Sequence, residues 1–172
     1  MKNYQILIAA LLVFSSCGVR PGDAKTGDQA DSAKNQSTTP STEKVLVASM
    51  HMQDTIKAGD SVLLTFTVKN PTADSLRFCK WHTPFEPLLS KYLDIKDQNG
   101  VEVNYKGAMA KRIMPPPASS YISVKAMDSL TTRADLLKGY AIDKAGKYTI
   151  TYNAQAISGL VVKDSLTFVY AK

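Results

Sequence analysis

The sequence predicts an all-β fold, an antiparallel sandwich of about nine strands behind a flexible linker. Three observations lead there. Residues 43–172 hold one short run after another rich in Val, Ile, Thr, Tyr and Phe. Turn-forming pairs separate most of these runs: Gly59-Asp60, Asn70-Pro71, Asn99-Gly100 and Ala145-Gly146. No stretch of helical length places apolar residues at a 3.6-residue period, and there is no internal repeat.

The N-terminus reads as an export signal. "MKNYQ" supplies a positive start, "ILIAALLVF" (6–14) an apolar run, and "SSC" a small-residue cleavage site. The apolar run is shorter than the ~20 helical residues that cross a bilayer. Cys17 follows two serines, which is where a bacterial lipoprotein signal places its acylated cysteine; Phe14 stands where leucine is more usual. Residues 1–16 are thus a lipoprotein signal peptide, and acyl chains on Cys17 anchor the chain to a membrane, on the outer membrane of the cell envelope. The plainer alternative is an ordinary signal peptide with a chance cysteine. Residues 17–42 comprise the lipidated cysteine and a Gly, Ser, Thr, Asp and Lys tract. Such a tract lacks the apolar surface to offset its ordering entropy and reads as a disordered tether. The remaining 43–172 suffices for one domain with a core.

Within that domain, 45–52, 61–69 and 75–81 are the first three predicted strands. In 61–69, Val62, Leu64, Phe66 and Val68 share one face, opposite Thr65, Thr67 and Lys69. Period-two alternation with one polar face suits a half-buried antiparallel strand. Residues 91–97 and 101–106 flank Asn99-Gly100, a strong hairpin signal. Strands follow over 121–127, 130–136, 147–154 and 164–170. In 147–152, Tyr148, Ile150 and Tyr152 alternate with threonines. "AGKYTITY" (145–152) puts Tyr148 two residues past a turn glycine, as in the tyrosine corner of Greek-key sandwiches, with the hydroxyl bonded to upstream backbone. The predicted type is immunoglobulin-like.

Charge and cysteine content narrow the function classes. Lys and Arg outnumber Asp and Glu by 21 to 15, for a formal net charge of +6. The domain itself holds 17 basic and 12 acidic residues, so it keeps +5. No basic run is interleaved with aromatics, so nucleic acid is not an expected partner. With Cys17 acylated, Cys79 has no disulfide partner.

"CKWHTPFEP" (79–87) gathers Cys79, the sole tryptophan Trp81 and one of two histidines, His82. On a continuing strand, residues three apart sit on opposite faces, so Cys79 and His82 would not form a dyad. Cys79 reads as a small buried hydrophobe beside a core Trp81. His51, Cys79 and His82 show no zinc-ligand spacing, and there is no HExxH. No catalytic constellation, metal or cofactor is expected, and an enzyme is not.

Two proline-bearing loops are the candidate recognition elements. The first spans 82–89; Thr83 is pushed extended by Pro84. The second is "KRIMPPPASSY" (111–121), whose three prolines favour a stiff extended segment. Rigid loops lose less entropy on binding. Phe85, Glu86, Lys111, Arg112, Ile113 and Met114 are the candidate partner-binding residues. The competing view is that both loops are structural connections.

These residues also carry a resemblance. "RFCKWHTPFEPLLSKYLDI", "VEVNYKGAMAKRIMPPPASSYISV" and "AGKYTITY" resemble the N-terminal non-catalytic β-domain of bacterial deuterolysin-like peptidyl-Lys metalloendopeptidases, over about 60–170. That domain carries a similar Lys-Trp-x-Thr-Pro run, then a Tyr-x-Gly stretch, a Lys-Arg pair and a proline-containing segment before a tyrosine. Tyr105, Gly107, Lys111, Arg112, Pro116 and Tyr121 fit those places. In such proteases a zinc domain with an HExxH helix follows; this sequence has none, so peptidase activity is not implied. The resemblance implies instead a lipid-anchored inhibitor or chaperone that holds or masks a secreted metallopeptidase. Asn70-Pro71-Thr72 resembles more distantly the first inhibitory loop of chagasin-type cysteine-peptidase inhibitors, without its following glycine or its late-strand tryptophan. The alternative function is a structural or assembly envelope lipoprotein that binds another protein or a glycan.

Overall fold

The computed structural model describes residues 45–172. The expected signal peptide (1–16), Cys17 and the expected tether over 17–42 lie outside the described residues. Nine strands form: β1 (Val47–His51), β2 (Thr55–Lys57), β3 (Leu63–Lys69), β4 (Leu76–Cys79), β5 (Leu93–Asp97), β6 (Tyr121–Val124), β7 (Ser129–Asp135), β8 (Gly146–Tyr152) and β9 (Leu166–Ala171). Among the described residues the helical content is one turn of α-helix, α1 (Gln155–Ser158), and two 3₁₀ turns, Ala118–Ser120 and Leu136–Lys138.

The strands make three sheets, in the orders β1-β3-β7, β2-β9-β8-β5 and β4-β6. The two larger sheets turn their apolar rows into one core. Val62, Leu64, Phe66 and Val68 are fully buried in and beside β3, and Ile95, Ile150 and Phe168 meet them from β5, β8 and β9. Burying each such side chain is worth about 1.5–3 kcal/mol. A one-residue slip would turn Leu63, Thr65, Thr67 and Lys69 inward instead, so this row sets the register. All pairings are antiparallel save one: β2 runs parallel to β9.

Two elements differ from the sequence expectation. β2 was not foreseen; Ile56 is its one buried residue, and three residues are too few to show a period. Residues 101–106 form no strand, only the bridges Lys96↔Glu102 and Tyr105↔Tyr140. The turn before them forms as the Asn-Gly pair requires. Gly100 has φ 78°, and the Asp97 carboxylate accepts from the N–H groups of Asn99 and Val101, each at 2.9 Å. After Val103 N donates to Ile95 O, the chain leaves β5 so that Tyr105 can pack on Tyr140.

Asn70 joins two connections that pass between the β1-β3-β7 and β4-β6 sheets. It is fully buried, and its Nδ2 donates to the carbonyls of Asp74 (2.8 Å), Val124 (3.0 Å) and Lys125 (3.0 Å). Its Oδ1 accepts from Thr72 N and Thr72 Oγ1. The Asn70-Pro71-Thr72 stretch therefore ties the β3–β4 turn to the β6–β7 turn. Tyr148 is buried, stacks on Phe168 with centroids 5.4 Å apart, and donates its hydroxyl to Lys144 O at 2.7 Å.

Candidate functional site

The two proline loops meet. β4 ends at Cys79, and Lys80 N donates to Ser120 O at 2.8 Å, which brings the end of the second loop alongside. The chain then turns sharply at His82, whose φ is 58°. Buried Thr83 holds the turn: its Oγ1 donates to Lys80 O (2.6 Å) and accepts from Phe85 N (3.2 Å). Glu86 Oε1 accepts the His82 N–H at 3.0 Å and Arg112 Nη2 at 2.6 Å. The Glu86 and Arg112 side chains are 5% and 20% exposed. The Arg112 guanidinium lies 4.8 Å from the Trp81 ring centroid. One carboxylate thus clamps the first loop to itself and to the second loop, and one guanidinium roofs the tryptophan.

Two tyrosine hydroxyls pin the first loop, and a third pins the start of β5 just after it. Tyr152 donates to His82 O (3.1 Å), Tyr105 to Leu88 O (2.9 Å), and Tyr140 to Leu93 O (3.2 Å) while accepting from Leu93 N. Burial pushes the Tyr140 and Tyr152 hydroxyls up to about 12, so they remain protonated donors at ordinary pH. The Tyr92 hydroxyl is buried without a hydrogen-bond partner, and burial drives its pKa upward as well. Tyr105 curls back over its own chain, with its hydroxyl also 2.9 Å from Ala108 O. A Cβ on Gly107 would sit 2.4 Å from that hydroxyl, which is the physical reason for the Tyr-x-Gly spacing.

The predicted residues divide. Phe85 turns inward, edge-on to Phe78 (5.2 Å) and Phe66 (6.4 Å). Glu86 and Arg112 form the clamp. Lys111 is exposed, and Ile113 and Met114 are 81% and 69% exposed. Met109 is also exposed, at 70%, and was missed in the sequence, where a lone Met between alanines gives no signal. Trp81 is buried, yet it stands apart from the main core, beneath Arg112. Tyr105 and Tyr140 were also missed as positioning residues, because their partners lie on other elements.

Cys79 is buried and free, and among the described residues no hydrogen bond joins it to either histidine. His51 is exposed at the end of β1. No group of three or more His, Cys, Asp or Glu is placed to hold a metal ion among the described residues. Burial lowers the His82 pKa, against the raising effect of Glu86. What the site offers is a loop pair clamped by Glu86 and Arg112, with Met109, Ile113 and Met114 and the lysines at 106 and 111 exposed along the second stretch of chain.

No family model matches the chain. It is similar to an "Uncharacterized secreted protein" of Arthroderma benhamiae, 31% identical over 93 residues, covering 51% of this chain and 47% of that protein. It is also similar to an "Extracellular protease" of Aeromonas hydrophila, 31% identical over 96 residues, covering 54% of this chain and 26% of that protein. The chain therefore spans about half of the first relative and about a quarter of the second.

Proposed function

We propose that this is an exported, non-catalytic, protease-associated domain that binds protein through the clamped loop pair. The observation that carries the reading is the combination of exposure and rigidity. Ile113 and Met114 stand in solvent one and two residues beyond Arg112, which is fixed by Glu86 and Trp81. Apolar side chains held in place lose little entropy when a partner covers them. The lysines at 106 and 111 suit a partner with an acidic surface and raise the encounter rate.

The similarity to an extracellular protease over a quarter of its length supports association with a secreted peptidase. In the finer form of the reading, the partner is a zinc peptidase of the deuterolysin-like kind, which the domain holds or masks. Acyl chains on Cys17 then keep the pair at a membrane of the cell envelope.

The test compares culture-supernatant proteins retained by the immobilised full chain and by an Ile113→Asp/Met114→Asp variant. Chelator-sensitive peptidase activity should be retained by the first and lost from the second, with equal melting temperatures. Equal retention by both, or retained protein with no such activity, would overturn the reading.

A further inference from the structure

We propose that the outer edge of β7 is a docking edge for an extended, acidic segment of a partner polypeptide, which adds to the sheet as a further strand beside Thr131 and Arg133. None of Met109, Ile113 and Met114 lines the groove beside this edge.

β7 ends its sheet, because the order is β1-β3-β7. Its backbone directions follow from two bonds at its ends. Leu136 N donates to Val62 O at 2.8 Å, and Asn70 N donates to Asp128 O at 2.8 Å. Residue pairs that exchange bonds alternate along an antiparallel ladder. With 62–136 and 70–128 bonded, the bonded pairs between them are 64–134, 66–132 and 68–130. The N–H and C=O groups of Thr131 and Arg133 therefore point away from β3, toward the open edge.

The other edges are short or covered. A bridge from Val161 lies along β1, and one from Glu102 lies along β5. β2 has three residues, and β4 and β6 have four each. β7 has seven, in an unbroken register with β3. Its sequence, SLTTRAD, contains no proline, and its ladder contains no bulge, which are the usual devices that blunt a long edge.

The edge opens on a groove of ≈ 270 Å³. Pro84, Pro87 and Leu88 of the first proline loop form one wall, and Arg133 and Lys138 stand on the other. Thr132 Oγ1 reaches Pro84 O at 3.4 Å, so the wall stands close to the strand. Of the two acids there, Glu86 is paired with Arg112, while Asp135 accepts the Leu137 N–H at 3.2 Å and keeps its charge. Arg133 is exposed and forms no ion pair among the described residues. With Glu86 paired to Arg112, Arg133 and Lys138 face the single acid Asp135, so the groove keeps a small positive balance, with a backbone edge along one side that no described strand pairs. Strand addition supplies main-chain bonds, and a carboxylate facing Arg133 and Lys138 supplies register and specificity. A second copy fits less well, because β7-to-β7 pairing would gather the Arg133 and Lys138 charges of both copies along one seam.

The test titrates the full chain with a fluorescein-labelled peptide, Thr-Val-Thr-Glu-Thr-Val-Thr. Two controls carry Lys for Glu, or N-methyl groups on alternate amides. Binding is read by anisotropy and located by hydrogen exchange. The Glu peptide should bind and slow exchange within 129–135. Arg133→Ala/Lys138→Ala should weaken it by about fivefold or more. Both control peptides should fail, and Ile113→Asp should change nothing, which separates this test from that of Ile113 and Met114. No binding, equal binding of the N-methylated peptide, protection outside 129–135, or a dimer by sedimentation would each overturn the proposal.

Discussion

Replacing Glu86 by alanine tests the clamp on which the loop geometry depends. The substitution removes a buried acceptor that serves two donors, the His82 N–H and the Arg112 guanidinium. Breaking a fully buried pair by removing one partner costs about 3–5 kcal/mol, because the other charge is left uncompensated. Arg112 is 20% exposed and keeps some access to water, so the lower part of that range applies. The His82 N–H, left without its acceptor in a left-handed turn, adds to the loss. We expect a destabilisation of about 3 kcal/mol for Glu86→Ala. Glu86→Gln, which keeps an acceptor but not the charge, should cost roughly half as much. Arg112→Met keeps most of the stem over Trp81 while stranding the carboxylate, and should also cost about 3 kcal/mol. The double variant should recover 1 kcal/mol or more of the summed loss, roughly the coupling expected of residues in contact. Urea denaturation followed by the single tryptophan measures all four. Additive effects, or single losses under about 0.5 kcal/mol, would refute the clamp and leave the loops as independent connections.

Asn70→Ala should cost about 2–3 kcal/mol in the same assay, since it strands several carbonyls at a buried junction; a loss under ~0.5 would show that water replaces them. Gly107→Ala should destabilise by about 1–3 kcal/mol, as the new methyl forces the Tyr105 ring off Tyr140; an unchanged midpoint would refute that contact. His82 has a folded-state pKa lowered from 6.5 by burial, so the unfolded chain takes up the proton more readily. Its share of stability is intact above pH 6.5 and is lost as pH falls through the window just below. His82→Asn tolerates the positive φ and should flatten that slope below pH 6.5; an identical slope in both proteins would place the pH dependence elsewhere.

Most of the fold was legible because alternation is a local property. Each buried residue of β3 and β8 is announced by its polar neighbours, and Asn99-Gly100 needs nothing beyond its own turn. β2 escaped because its stability comes from pairing with a strand more than a hundred residues away. The run 101–106 misled because its residues have strand propensity, while the course of the chain is set by Tyr105 meeting Tyr140.

The candidate site shows the same division. From the sequence alone, two stiff loops, their charged and apolar residues, and the absence of metal-ligand spacing could be read. Which side chains face solvent was decided by contacts between distant residues: Glu86 with Arg112, 26 positions apart, and Tyr152 with His82, 70 apart. Phe85 and Ile113 are both large apolar loop residues, yet one completes an aromatic cluster and the other stands in water. Nothing in their neighbours distinguishes them, because burial in a loop depends on what the rest of the chain brings to it. The open edge of β7 is likewise a property of strand order: the residues make a strand, but only the assembled sheet determines that no strand of the described residues lies beside it.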